Sequence, residues 1–326
     1  MSILSKINNP SDMKSLNLDE LEILCDEIAD LIKDTIGKHG GHYSSPLGVI
    51  ETTVALHYVY NTPDDKLIWD VGHQAYPHKI LTERKNQFKT IRQKDGLSGF
   101  LKISESKYDA FGAGHSSTSI SAALGFAHAR DKDKSNNQIV AIIGDGAMTG
   151  GMAYEGINNL GYHKTQMTVV LNDNSLSISK SVGALSKYLT LITTNKTYNK
   201  IRRKIWQISG IIPLFSRFIR YFIKQTEKAI KGSLTPGSLF EDLGLRYIGP
   251  IDGHNLKDLI RAFKSVKEMN TPVLLHVYTK KGKRISVSDS DSIKYYSLAG
   301  SKKIKNDNLP ADYSKVFGQS LKKFSK

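Results

Sequence analysis

The sequence is poor in the features that mark secreted and membrane-embedded proteins. Its 326 residues include a single cysteine, Cys25, which excludes a disulfide bond within the chain and is typical of a reducing cytoplasm. No apolar run approaches the roughly 18 to 20 residues that a transmembrane helix needs. The first 20 residues lack the apolar core of a signal peptide, and no internal repeat is present. We therefore expect a soluble, cytoplasmic, globular protein.

Acidic residues are scarce in one segment. Residues 180–232 contain 12 Lys or Arg residues and one acid, Glu227, a net charge of +11, whereas the whole chain carries +15. Residues 301–326 contain seven basic and two acidic residues, a net charge of +5, and the rest of the chain is close to neutral. The positive charge is therefore an appendage to an ordinary domain.

The basic segment allows two interpretations. Trp206, Phe215 and Tyr221 alternate with arginines within residues 195–232, a composition compatible with contact to an acidic membrane surface. A solvated, mobile insertion is the simpler interpretation, and we prefer it. We expect no nucleic-acid partner.

Apolar runs and helix-like segments alternate along the chain. The apolar runs predict strands at 66–72, 107–112, 138–145, 165–173, 245–250 and 272–282. Asn17 and Glu20 form a capping-box pattern at the start of the first long helix, with Gly37 as its predicted C-cap. Continuous apolar strands separated by helices predict a doubly wound α/β fold, a mostly parallel sheet with helices on both faces.

The same pattern sets the expected domain boundaries. We assign residues 1–300 to the α/β domain and 180–232 to a basic insertion within it. Residues 301–326 resemble a linker followed by the first helix of a truncated second domain.

Two neighbouring predicted strands end in polar residues flanked by small ones. Asp145 is the last residue of the strand predicted at 138–145, and Asn174 follows the next strand. Because parallel strands end at one edge of a sheet, an acid, an amide and the backbone carbonyl of Leu176 would meet there and suit Mg²⁺. The glycines near Asp145 allow a diphosphate to approach the backbone and a helix N-terminus. The alternative is that Gly-Asp-Gly forms only a tight turn, but the paired Asn-Asp-Asn favours the metal and diphosphate site.

Further motifs extend this pattern. They are "GGHYSSPLGVIETTVALHYVYN", "DVGHQAYPHKIL", "GHSSTSISAALG", "GDGAMTGGMAYEGIN", "LNDNSLSIS", "SLFEDLGLRYIGPIDGHN" and "HVYTKKGK". Between about residue 38 and residue 283 the chain resembles the N-terminal domain of the 1-deoxy-D-xylulose-5-phosphate synthase family of thiamine-diphosphate enzymes.

The resemblance implies a cofactor, a metal and roles for particular residues. It implies catalytic roles for His42 and His73; contacts to thiamine diphosphate from His73, Gly114, His115, Ser116, Gly146, Ala147 and Asn174; and Mg²⁺ ligation by Asp145, Asn174 and the carbonyl of Leu176. We also expect Ser116 to cap the helix that follows it. His57, His163 and His276 match no motif and are interpreted as structural or surface residues, and His78 fits either role.

The implied reaction is a decarboxylating condensation of pyruvate with glyceraldehyde 3-phosphate, a transferase reaction that supplies isoprenoid, thiamine and pyridoxal synthesis. The cofactor provides the electron sink for this chemistry. Members of the family are dimers, so we expect a homodimer or a partner chain that carries the remaining domains.

The chain also departs from the family. Its "KGKRIS" places Arg284 and Ile285 where the family has Gly and Tyr, and Tyr296 stands near the position of a family histidine. The chain is about half as long as family members and lacks the domain with the glutamate that protonates the cofactor. We therefore expect little or no activity from the chain alone. It is either a truncated enzyme, one subunit of a split enzyme, or a binding module for the cofactor.

Overall fold

The computed structural model describes residues 2–174, 183–184, 187–189, 237–285, 295–301 and 312–325. Leu176 and most of the basic segment 180–232 lie outside the described residues. The predictions made for them therefore remain predictions.

Helices and strands alternate through the described residues. The α-helices are α1 (Ile3–Lys6), α2 (Leu18–His39), α3 (Ser44–Leu47), α4 (Ile50–Val59), α5 (Tyr76–Lys79), α6 (Ser119–Lys132), α7 (Asp145–Met148), α8 (Gly151–His163), α9 (Ser238–Asp242), α10 (Leu256–Lys267) and α11 (Tyr313–Phe324). The strands are β1 (Gly41–His42), β2 (Lys66–Trp69), β3 (Ile139–Gly144), β4 (Thr168–Asp173), β5 (Arg246–Asp252), β6 (Val273–Tyr278) and β7 (Ser297–Leu298). Short 3₁₀ helices cover Pro10–Ser15 and Phe88–Thr90, and a π-helical turn covers Ile80–Arg84.

Five of the strands form one parallel sheet in the order β2–β3–β4–β6–β5. Gly144, the last residue of β3, lies opposite Asn172 near the end of β4. The carboxyl ends of these strands therefore share one edge of the sheet, as predicted. The strands β1 and β7 form a separate antiparallel pair, with Gly41 opposite Leu298.

Alternate residues of each strand pack on opposite faces of the sheet. In β3, Val140 and Ile142 belong to the apolar cluster that contains α2, α4 and α10, whereas Ala141 and Ile143 belong to the cluster that contains α6 and α8. This is the period of two expected for a strand that is buried on both faces. The predicted doubly wound α/β fold is confirmed.

The capping pattern of α2 was correct at its start and wrong at its end. The Asn17 side chain accepts a hydrogen bond from the Glu20 amide, and the Glu20 side chain accepts one from the Asn17 amide. The helix continues through Gly37 and ends at His39, with Gly40 as the C-cap at a φ of 80°. The left-handed backbone that favours glycine occurs at Gly40, so Gly37 is an ordinary helical residue.

The strand predicted at 107–112 does not form. This segment consists of turns, and it carries the buried Asp109, whose carboxylate contacts Arg84 and His78. The Asp109 network and the packing of Phe111 against the apolar cluster that contains α6 and α8 hold this segment in place of strand pairing.

The helix predicted near the end of the chain is present as α11, and none of its residues is buried. In the part of the chain that the structure describes, no helix has both the length and the apolar character that a membrane crossing requires.

Candidate cofactor site

A cavity of about 350 Å³ lies at the carboxyl-terminal edge of the sheet. Asp70 and Val71 reach it from the loop after β2, residues 144–147 from the end of β3, and Asn172 and Asn174 from the end of β4. In parallel α/β sheets this edge is where ligands bind. The cavity therefore lies where the strand pattern predicted a site.

Most of the residues singled out from the sequence line this cavity. They are His73, Gly114, Ser116, Asp145, Gly146, Ala147 and Asn174. His42 does not line the cavity, but its ring lies beside that of His73, with the ring centroids 5.6 Å apart. His115 is exposed, and its Nδ1 lies 2.8 Å from the Ser116 carbonyl oxygen.

The β3 end of the cavity is shaped by small residues. An added Cβ at Gly114 or Gly144 would meet nothing within 4 Å, so the backbone at both positions borders open space. At Gly150, by contrast, a Cβ would lie 2.2 Å from Ser117 Oγ, which donates a hydrogen bond to the Ala147 carbonyl. The loop before α6 is therefore packed closely on the turn that carries Asp145.

Asp70 fixes the same loop from the other side. Its carboxylate, almost fully buried, accepts hydrogen bonds from the backbone amides of Ser117 at 2.8 Å and Ser119 at 3.0 Å. The prediction that Ser116 caps α6 is therefore wrong. The helix begins at Ser119 without a cap from a nearby side chain, because a carboxylate from the end of β2 takes that place.

Aromatic side chains surround the two histidines. Tyr296 lies 5.8 Å from His42 and 6.0 Å from His73, measured between ring centroids, and Phe100 lies 5.4 Å from His42. Tyr296 is placed there by the β1–β7 pair and by its carbonyl, which accepts a hydrogen bond from the Tyr43 amide. Among the described residues, Nδ1 of His42 and Nδ1 of His73 have no hydrogen-bond partner.

This environment favours neutral imidazoles. Burial, assisted by the positive charge of Arg92, lowers the pKa of His42 to about 4. Burial, assisted by the nearby His42 and Lys281, lowers the pKa of His73 to about 3. Both rings are therefore uncharged near neutral pH and can each accept or donate a proton.

These pKa values predict a measurable titration. In the ligand-free protein, NMR of labelled histidines should show both rings titrating below pH 5. Since unfolded histidine has a pKa of about 6.5, the folded state should lose stability as the pH falls from about 6.5 towards 4. Midpoints near 6.5 for either ring would contradict the buried, unpaired arrangement.

Lys281 also belongs to the site, although no role was predicted for it from the sequence. It follows β6 in the "TKKGK" motif and lines the cavity. Burial lowers its pKa to about 8, and the carboxylate of Asp145 opposes that shift. The positive charge of Lys281 thus lies in the same cavity as the carboxylate of Asp145. In the sequence, only the "KKGK" run indicates a basic group at this place.

The end of β4 is held by buried neighbours. His276 Nε2 lies 3.0 Å from Asp173 Oδ2, and its Nδ1 lies 2.7 Å from the Tyr247 hydroxyl. Thr279 Oγ1 donates to Asn172 Oδ1 at 2.8 Å. The carboxylate of Asp173 thus points into the protein, while Asn172 and Asn174 line the cavity. This contact gives His276 the structural role that was expected of it.

The remaining histidines outside the motifs also have structural surroundings. His57 and His78 are fully buried and contact each other at 2.9 Å, and His78 contacts Asp109 at 3.3 Å. His163 is exposed and packs edge-on against His128. His78, for which both roles were open, thus has the buried, hydrogen-bonded surroundings of a structural residue and does not line the cavity.

The available metal donors are few in number. No group of three or more His, Cys, Asp and Glu side chains that could hold a metal ion occurs among the described residues. The cavity is lined by two carboxylates, Asp70 and Asp145, and both oxygens of Asp70 accept hydrogen bonds from backbone amides. The carboxylate of Asp145 and the amide side chains of Asn172 and Asn174 are therefore the candidate donors. A donor set of one carboxylate and neutral oxygens fits Mg²⁺ that is also bound by phosphates, and does not fit a zinc site.

The fold of the chain is found in known structures. The structure of transketolase from Campylobacter jejuni matches 87% of this chain and 41% of its own, with a TM-score of 0.63 and 19% sequence identity. Transketolase from Leishmania mexicana matches 86% of this chain and 39% of its own, with a TM-score of 0.61 and 16% identity. The chain therefore has a transketolase-like fold.

Sequence comparison gives the family. The family model described as 1-deoxy-D-xylulose-5-phosphate synthase matches residues 4–279. Curated proteins of that name from Halothermothrix orenii and Chlorobaculum tepidum are 48% and 47% identical over 99% and 98% of this chain, respectively. The chain belongs to the 1-deoxy-D-xylulose-5-phosphate synthase family. It spans about half the length of these relatives, 51% and 52%.

Proposed function

We propose that the cavity binds thiamine diphosphate together with Mg²⁺, and that the chain supplies the cofactor-binding domain of a 1-deoxy-D-xylulose-5-phosphate synthase activity. The observation that carries this proposal is the meeting of Asp145, Asn174 and Lys281 in one cavity at the carboxyl ends of β3, β4 and β6. A carboxylate and an amide suit the metal, and a lysine suits the diphosphate.

Each part of the cofactor has candidate partners. Asp145, Asn174 and the carbonyl of Leu176 would bind the metal. Gly146 and Ala147 would lie against the diphosphate, with Gly114, His115 and Ser116 as further contacts. The open space beside Gly114 and Gly144 supports this assignment, because a backbone without side chains allows close approach of a phosphate group.

The two histidines are proposed as catalytic residues near the reacting carbon. Thiamine diphosphate supplies the electron sink when pyruvate loses CO₂ and is joined to glyceraldehyde 3-phosphate. His42 and His73 would hold or move a proton there, His73 also contacting the cofactor. Their buried, unpaired Nδ1 atoms support this role, since a bound group would satisfy polar atoms that the described residues leave unsatisfied.

The proposal extends to the remaining assignments. The products would feed isoprenoid, thiamine and pyridoxal synthesis, the enzyme would be a cytoplasmic transferase, and residues 1–300 would form its first domain. The chain is proposed to form a homodimer or to pair with a partner chain that carries the domains found in the longer relatives, and only such a partner chain would complete the active site. Because the chain spans about half of those relatives, a second candidate is a module that binds the cofactor without turnover.

One pair of measurements separates these candidates. Titration calorimetry should show binding of thiamine diphosphate that requires Mg²⁺. Release of CO₂ from pyruvate by the loaded protein would then indicate an enzyme, and its absence would indicate a chain that binds the cofactor without turnover on its own. Lack of cofactor binding would contradict both.

A further inference from the structure

Arg284 lies in the loop that follows β6, three residues after Lys281. Unlike Lys281, it does not line the cavity. Its Nη1 donates a hydrogen bond to Glu51 Oε1 at 2.8 Å, and its Nε donates to Asp26 Oδ1 at 3.0 Å. These partners lie on α4 and α2, respectively. Arg284 thus ties the loop of residues 279–285, which we call the lysine loop, to the helices behind the site.

Glu51 is the centre of this attachment. Its side chain is 3% exposed, and its second oxygen lies 3.3 Å from His254 Nδ1. Burial alone would raise its pKa, but the hydrogen bond with His254 and the charge of Arg284 hold the pKa of Glu51 below its ordinary value. A buried carboxylate of this kind demands cationic partners, so the Arg284 contact is costly to break.

The same cluster holds the lysine loop at a second point. The other ring nitrogen of His254, Nε2, accepts a hydrogen bond from the Lys280 amide at 2.8 Å. The Gly282 amide donates to the Ser44 carbonyl at 3.0 Å. Lys281 is therefore fixed through the backbone on both sides, with Arg284 closing the turn after it.

Ile285 completes the turn from the apolar side. Its amide donates to the Gly282 carbonyl at 2.8 Å, and its side chain packs against the core cluster that contains α2 and α4. The two residues that replace the family Gly and Tyr thus both face away from the cavity. Lys281 is the residue of the lysine loop that lines the cavity.

We propose that Arg284 is a positioning residue, which through Glu51 and Asp26 holds the lysine loop so that Lys281 faces the diphosphate of the bound cofactor. This inference rests on the proposed function. In this chain the ion pairs of Arg284 anchor the loop from behind, and Lys281 provides the contact to the anion. Arg284 itself touches neither the cofactor nor the substrates.

A double-mutant cycle tests this inference. Affinities of the full chain for Mg²⁺ with inorganic pyrophosphate, and for Mg²⁺ with thiamine diphosphate, are measured by calorimetry for the wild type, Arg284→Met, Lys281→Met and the double variant. We expect Arg284→Met to weaken both affinities about tenfold, as for residues that orient ligand groups. In the Lys281→Met background the same substitution should have less than a twofold effect, since residues that act through each other are not additive.

Controls separate positioning from folding and from charge. Arg284→Lys should retain most of the affinity, because it keeps the charge that Glu51 needs. Lys283→Met also removes one positive charge from this loop, but the contact that it breaks, with Glu51 at 3.5 Å, is longer. It should therefore lower the two affinities less than threefold. Melting temperatures identify variants that do not fold.

A second readout does not depend on the ligand. Hydrogen exchange at the amides of Lys280, Gly282 and Ile285 should accelerate in Arg284→Met and stay unchanged in Lys281→Met. Equal losses from Arg284→Met in both backgrounds, or unchanged exchange in the loop, would overturn the inference. Failure of the wild-type chain to bind either ligand would instead overturn the proposed function on which it rests.

Discussion

Replacement of Asp145 by alanine is expected to abolish the Mg²⁺-dependent binding of thiamine diphosphate. Asp145 lies directly after β3, and its side chain is buried. It lines the cavity together with the amides of Asn172 and Asn174, whereas the carboxylate of Asp70, which also lines the cavity, accepts hydrogen bonds from backbone amides. Mg²⁺ bound through one protein carboxylate and phosphate oxygens depends strongly on that carboxylate. The affinity measured by titration calorimetry should fall roughly 100-fold or more.

Two further variants make this result specific. Asp145→Asn keeps the size of the side chain and removes its charge, so it should lose affinity as well. Asp133→Ala removes an exposed carboxylate beyond the end of α6 and should bind the cofactor as the wild type does. Unchanged cofactor affinity in Asp145→Ala, with the melting temperature preserved, would show that the metal assignment is wrong.

Replacement of Arg84 by methionine is expected to cause the largest loss of stability. Arg84 is buried, and its guanidinium donates to both oxygens of Asp109, at 2.7 and 2.8 Å, and to Glu105 at 2.9 Å. Breaking a buried ion pair leaves a charge without compensation and costs about 3–5 kcal/mol of the free energy of unfolding. For a domain of this size the melting temperature should fall by roughly 10 °C.

Arg130 provides a matched control for this substitution. It is also buried, but its partner Asp131 is half-exposed, so removal of Arg130 leaves no buried charge behind. Chemical denaturation should show a loss of about 1 kcal/mol for Arg130→Met. If Arg84→Met lost no more free energy of unfolding than Arg130→Met, the buried ion pairs of Arg84 would not provide the stability predicted for them.

The same network predicts a dependence on acid. Burial alone would raise the pKa of Asp109, but the hydrogen bonds with His78 and Arg84 hold it well below the ordinary value for aspartate. A carboxylate with a lowered pKa stabilises the folded state fully above its unfolded pKa, and this contribution is lost as the pH falls further. The contribution of Asp109 should therefore persist down to about pH 4 and decline below it.

The fold could be predicted from the sequence because its signals are local. The strands β3 and β4 are continuous apolar runs, and their polar ends at Asp145 and Asn174 follow directly in the chain. The capping box of Asn17 and Glu20 spans four residues. The strand predicted at 107–112 does not form, and Asp109 within it is bonded to Arg84 and His78, which lie 25 and 31 positions away and which no local pattern reveals.

The site could be predicted only where a motif is contiguous. His73, Gly114 and Asp145 stand in recognisable short motifs and line the cavity. Lys281 and Tyr296 also line it, but they arrive from segments after β6 whose path depends on tertiary packing. Asp70 caps α6 from 47 and 49 positions away, a distance that no capping pattern in the sequence reveals.

The central claim is that Asp145 and Asn174 bind a metal that holds the diphosphate of the cofactor. It is tested most directly by a crystal structure of the chain with thiamine diphosphate and Mg²⁺. The account predicts density for an octahedral ion with Asp145 and Asn174 oxygens at about 2.1 Å, bridging to the diphosphate. Density for the cofactor elsewhere, or a diphosphate bound without contact to either residue, would contradict it.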